Sequence, residues 1–170
     1  MTPLTAIREG LSLIPEAMRS DRALVMLVAI GLQESRFTAR RQLVGSPPRP
    51  VGPAKSYWQG ELGGGMVAGV RTHAATREHA AKAYKARGVP ANNRAIWDAI
   101  ENDDVLASAL ARLLLYSDPK PLPAIGDVDG AWNLYLRTWR PGAYARGSDA
   151  QKAALRAKWS GYYAQAVRGV

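Results

Sequence analysis

Residues Ala23–Phe37 read ALVMLVAIGLQESRF, an apolar run that ends on a carboxylate and then a hydroxyl, Glu34 and Ser35. So few polar breaks predict a helix buried on most of its sides. Ser20 and Asp21 supply side-chain oxygens to cap it, so the helix is expected from about Asp21 to Glu34 or Ser35. A glutamate on the last turn of such a helix sits at the wall of a core, where lost solvation raises its pKa. A glutamic acid still protonated near neutral pH can give its proton to a departing oxygen, the general-acid half of glycoside cleavage. The competing reading turns Glu34 to water or pairs it with Arg36, Arg40 or Arg41.

Outward from this run, Thr2 before Pro3 opens a first helix that reaches to about Ile14, where Pro15 interrupts. After Phe37 the periodicity disappears. Four prolines and two glycines fall between Gly45 and Pro53, a loop or irregular lobe placed directly behind Glu34. Lys55–Gln59 rejoins ordered structure, and Gly63–Gly65 frees the backbone for a bend or hinge. Helical patterning resumes at Met66–Thr72, at Arg77–Arg87 with Thr76 as its cap, and at Asn93–Ile100. From Asp103, an apolar stripe of Val105, Leu106, Ala109, Leu110, Leu113 and Leu114 marks a core helix. Asp127–Thr138 is the next helix, stopped by Arg140-Pro141-Gly142. Ser148 with Gln151 forms a capping box for the last, with Leu155, Trp159, Tyr162 and Ala166 on one face. The expected architecture is all-α, a single compact domain over residues 1–170 with at most a small hairpin near residues 40–60.

At 170 residues the chain is long enough for one full core. It has no cysteine and only two histidines, His73 and His79, so neither a thiolate nor a histidine metal site is expected, and no cofactor. A net charge of +9 and an isoelectric point near 10.2 point to an anionic partner, either nucleic acid, a membrane surface or a wall polymer. Arg137, Arg140 and Arg146 around Trp139 and Tyr144 form one basic cluster, but no helix-turn-helix, zinc or single-strand-binding motif accompanies it, which points away from nucleic acid. The start MTPLTAIREG does not read as a secretory signal, and Ala23–Leu32 is too short to span a bilayer.

Three segments carry the residue types of a glycan site: Gln33-Glu34-Ser35-Arg36-Phe37, the run Pro53–Gln59 (PAKSYWQ), and Ala131-Trp132-Asn133. In this order they resemble the soluble lytic transglycosylases and goose-type lysozymes of the lysozyme-like superfamily. That family has Glu-Ser closing a buried helix, a Gly-Leu-Met-Gln segment beyond it and Ala-Tyr-Asn on a later helix. The resemblance covers about Leu24 to Gly142 and includes the helix of Asp103–Leu115. It implies that Glu34 is the catalytic acid and base and that Ser35 steadies it or contacts substrate, unless the hydroxyl merely bonds backbone. It further implies that Gln59 binds a sugar amide or hydroxyl. Tyr57 and Trp58 replace the family's Leu-Met; one belongs to the core, and the other stacks on a sugar face. Trp132 stands where the family has a tyrosine holding the catalytic carboxyl. An indole N–H can do part of that work, or Tyr135 one turn on can reach in. Asn133 is then a substrate contact; the plainer alternative makes Trp132 core packing and Asn133 a buried amide satisfied by backbone.

A lytic transglycosylase needs one carboxylate, whereas hydrolysis usually needs a second to position water, and Glu61 is the candidate. The resemblance therefore implies a muramidase cutting the MurNAc-GlcNAc β-1,4 bond of peptidoglycan, foremost as a transglycosylase, with a hydrolysing lysozyme using Glu34 and Glu61 as the alternative. A non-catalytic basic virion, wall-binding or DNA-binding module is the reading from a different class. Size and the absence of an export signal suggest a phage protein, either a virion component beside other virion proteins or an endolysin released from the host cytoplasm through a holin. Oligomeric state is left open.

Overall fold

The computed structural model describes all of residues 1–170 and shows a mostly helical chain with one two-stranded antiparallel sheet. The first helix, α1 (Pro3–Ser12), is capped by Thr2, whose Oγ1 accepts from Thr5 N at 3.2 Å. The apolar run forms α2 (Asp21–Ser35), capped by Ser20 and buried at every position from Ala23 to Leu32 except Val28. It is the central post of the molecule, packed on α1, on α6 (Asp104–Ser117) and on α9 (Asp149–Gly169). Helix α6 is likewise buried from Val105 to Leu115. It approaches α1 closely at Gly10, where a Cβ would lie 2.0 Å from Ser108 Oγ; that hydroxyl donates to Ala6 O at 3.1 Å.

The expected irregular lobe contains the hairpin, β1 (Arg41–Val44) and β2 (Arg49–Lys55), with Leu43 opposite Pro50 and Val44 opposite Arg49. A two-stranded ribbon leaves one side of each strand unpaired, so it tolerates prolines that a central strand would reject. Between β2 and α4 (Arg77–Ala86) lie a tight loop, a π-helical turn at Gly65–Gly69 and the short α3 (Val70–Thr72). Gly63–Gly65 does not use left-handed backbone. Its restriction lies at Gly65, where a Cβ would come 3.0 Å from Leu114. Thr76 stands at the N-cap of α4 as expected, but its side chain makes no capping bond: it is fully buried and donates to Val70 O at 2.7 Å, tying α3 to the turn that follows it.

Helix α5 (Asn93–Ala99) is capped by Asn92, α6 by Asp103 and α7 (Val128–Trp139) by Asp127. After α7 come the short α8 (Gly142–Ala145) and α9, which opens on the capping box of Ser148 and Gln151. On α9 the core face is Trp159, Tyr163 and Ala166 rather than Tyr162; one residue of rotation puts Tyr162 half-buried at the edge of a cleft. No helix is long and apolar enough to cross a membrane.

Candidate active site

The end of α2 is shaped so that its last turn faces open space. Arg36 adopts left-handed backbone (φ 53°) and caps the helix through Arg36 N to Leu32 O at 3.1 Å, and Phe37 repeats the conformation (φ 55°). The chain thereby folds back under the helix, and the Phe37 ring fills the space at Gly31, where a Cβ would lie 2.2 Å from it. Ser35 Oγ then lies 2.9 Å from Tyr57 O and 3.2 Å from Gly31 O, and accepts from Phe37 N. Its hydroxyl fastens the helix end to the loop after β2, so its role is to hold the backbone on either side of the site.

Glu34 is half-buried and opens on a cleft of about 660 Å³. Its Oε1 accepts a 2.6 Å hydrogen bond from the Tyr135 hydroxyl. Enclosure by protein pushes the carboxyl up from 4.5 to about 7, and the Tyr135 hydrogen bond opposes part of that rise. Protonated and ionised forms therefore coexist near neutrality. Burial, followed by the adjacent carboxylate, drives the Tyr135 phenol upward as well, so it stays protonated and keeps donating. None of the arginines named as competing partners takes Glu34: Arg40 pairs with Asp104 at 2.7 Å, Arg41 approaches Glu101 at 3.9 Å, and Arg36 has no ion pair.

Tyr135 is fixed by an aromatic cluster. Its ring stacks on Trp159 (centroids 5.1 Å, planes 15° apart) and on Trp139 (6.3 Å, 29°). The Trp139 indole N–H donates to Trp58 O at 2.9 Å, and Trp58 donates to Leu27 O at 2.9 Å. These two bonds link α7, the loop after β2 and the middle of α2 around the acid.

That loop, Ser56–Gln59, is closed by reciprocal backbone bonds between Lys55 and Gly60 at 3.0 and 2.7 Å. Ser56 and Gln59 both adopt left-handed backbone (φ 68° and 53°). Gln59 Nε2 donates to Ser56 O at 2.8 Å, while its carbonyl oxygen has no protein partner and the residue lines the cleft. Glu61 is exposed, lines the same cleft and makes neither an ion pair nor a side-chain hydrogen bond.

Three expected contacts are placed elsewhere. Tyr57 is buried, edge-on to Phe37 and Trp58 and covered by the Arg40 guanidinium 4.6 Å from its ring centre, so it is core and not a sugar platform. Trp58 is core as well. Trp132 packs among Tyr135, Tyr144 and Trp159 and does not reach Glu34; the hydroxyl at the carboxyl belongs to Tyr135, one turn further along the same face. Asn133 is exposed and outside the cleft, since two residues of helix turn it about 200° away from Tyr135.

None of the three motifs marks the far wall of the cleft. Leu155, Lys158 and Tyr162 of α9 line the cleft as a second stripe beside the core stripe of that helix. Their spacing was the available signal. With Arg36, Arg41 and Arg140, Lys158 makes the cleft cationic. At one end the cleft shares Leu155 and Lys158 with a cavity of about 430 Å³ beside Arg146, and at the other it shares Gln59 and Glu61 with a smaller one near Gly64. The result is an open groove with Glu34 in its wall. Comparison with family models, with curated proteins and with solved structures returns no match.

Proposed function

We propose that the protein is a peptidoglycan-cleaving glycosidase of lytic transglycosylase type, with Glu34 as its acid and base. The observation that carries this reading is the Glu34 carboxyl, held by Tyr135 at the wall of an open cationic groove with its pKa pushed up to about 7. Protonated Glu34 gives its proton to the oxygen of a MurNAc-GlcNAc β-1,4 bond as the C1–O bond breaks and cationic character develops on the MurNAc ring. The resulting carboxylate is stabilised by the Tyr135 O–H. It then takes the proton of the C6 hydroxyl as that oxygen bonds C1, closing a 1,6-anhydro ring and restoring the acid without water. Gln59, whose amide oxygen faces no protein donor, holds a hydroxyl or acetamido N–H of the sugar. Arg36, Arg140 and Lys158 concentrate the enzyme on the anionic wall, and salt weakens that effect. A phage origin, as virion component or endolysin, fits this activity.

Mass spectrometry of digested peptidoglycan tests the reading. Wild type yields anhydro ends and Glu34→Gln yields none while keeping its helical circular dichroism; clearing by Glu34→Gln at the wild-type rate overturns it. Glu61, in the same cleft and free of protein partners, supports a second reading, hydrolysis with a water held between the two carboxylates. Reducing ends in place of anhydro ends, lost in Glu61→Gln, would establish it.

A further inference from the structure

Two cationic side chains are buried in this molecule, and they are compensated differently. Lys55 is 4 % exposed, and its Nζ lies 2.9 Å from Asp98 and 2.8 Å from Glu101 and 3.6 Å from the centre of the Trp97 ring. Arg112 is 6 % exposed and has no carboxylate partner. Its Nε donates to Met18 O at 2.9 Å and its guanidinium lies 5.7 Å from the centre of the Tyr116 ring, but neither Nη atom has a hydrogen-bond partner in the protein. A buried guanidinium without a counter-charge is costly to desolvate. Desolvation pulls it down to about 10, so it is still charged at neutral pH.

Arg112 lines a cavity of about 720 Å³, on residues separate from those of the Glu34 cleft. Two further donors line it. Lys120 has no ion pair, and His73 accepts from Ala75 N through Nδ1, which places the proton of the neutral imidazole on Nε2. Asp118 is the one acid on the wall, and its charge is already taken: Arg137 grips both oxygens at 2.9 and 3.3 Å, and Lys120 N donates at 3.1 Å. Leu115, Leu122 and Pro121 supply apolar surface around these groups.

We propose that this cavity is a second binding site, for a phosphoryl group, with Arg112, Lys120 and His73 as its donors. A planar fork, an ammonium and an imidazole N–H that line one cavity from different elements suit an oxyanion with three or four acceptor oxygens better than a two-oxygen carboxylate. The phosphoryl group is either free phosphate, a soluble ester or a lipid headgroup. The site does not depend on the catalytic reading of Glu34.

Isothermal titration with inorganic phosphate at low ionic strength tests it, with acetate as the planar control. One saturable site is expected, with acetate failing to compete at equal concentration. Lys120→Gln and His73→Gln, both on the surface, should each weaken binding about tenfold, as loss of a charge-assisted hydrogen bond does. Arg112→Gln should abolish it. Competition by glycerol 3-phosphate, or by phosphatidylglycerol vesicles, identifies the natural source. No heat of binding, or equal affinity in wild type and the Lys120→Gln/His73→Gln double variant, overturns the proposal even if Arg112→Gln fails to fold.

Discussion

Glu34 and Glu61 open on the same cleft from walls of different construction. Glu34 rides the last turn of a buried helix, enclosed by protein and held by a phenol that is itself clamped in an aromatic stack. Glu61 stands on an exposed loop with no partner. Burial gives Glu34 a raised proton affinity and the Tyr135 hydroxyl fixes its position, the two properties a general acid requires; Glu61 has neither that enclosure nor a partner to hold it. A rigid wall that holds one carboxyl and an open wall that leaves the other free is the division this cleft displays.

The comparison breaks most visibly at Glu34. Glu34→Gln should lower glycan cleavage about 10³-fold or more, within the range of general-acid contributions, as read by release of soluble muropeptides. Tyr135→Phe keeps the stack on Trp159 but removes the hydroxyl that stabilises the carboxylate. Cleavage should fall about 10- to 100-fold, and the alkaline limb of the pH profile should move upward because the Glu34 pKa rises further.

Stability sharpens the contrast in the opposite direction. Because the folded-state pKa of Glu34 lies above that of an unfolded chain, the folded protein holds its proton longer. Stability is undiminished below about pH 4.5, is lost between there and about pH 7, and stays reduced above. Glu34→Gln therefore gains up to about 3 kcal/mol in thermal or urea melts at pH 8 and nothing near pH 4.5. Glu61→Gln, by comparison, should change neither stability nor the yield of anhydro product by more than about threefold, as expected of an unpartnered surface group. Asn133→Ala should leave product release unaltered.

Helix α2, its caps and its terminal carboxylate were legible because each rests on local pattern: an apolar run, Ser20 before it, a polar break after it. The capping box of α9 and the hairpin near residues 40–60 were legible for the same reason. The partner of the Glu34 carboxyl is not legible from local pattern. Trp132 and Tyr135 lie one turn apart on one face of α7, both pack on Trp159 of α9, and which of them reaches Glu34 is a matter of tertiary packing that local pattern does not carry. Sequence assigns one of Tyr57 and Trp58 to a sugar face because it does not reveal that Phe37 and Arg40 cover Tyr57 while Trp58 is wholly buried. The cationic wall of α9 was hidden because Lys158 is distant in sequence from every motif and reaches the site only through tertiary packing. Thr76 shows the limit of capping rules: a buried threonine takes the nearer carbonyl, that of Val70.

Carbon-detected NMR titration of the Glu34 carboxyl, assigned by its loss in Glu34→Gln, addresses the central claim most directly, since the proposed chemistry requires a carboxyl that keeps its proton near neutrality. A midpoint close to 7, moving higher in Tyr135→Phe, is the result predicted here. A midpoint near 4.5, unchanged by Tyr135→Phe, would contradict it.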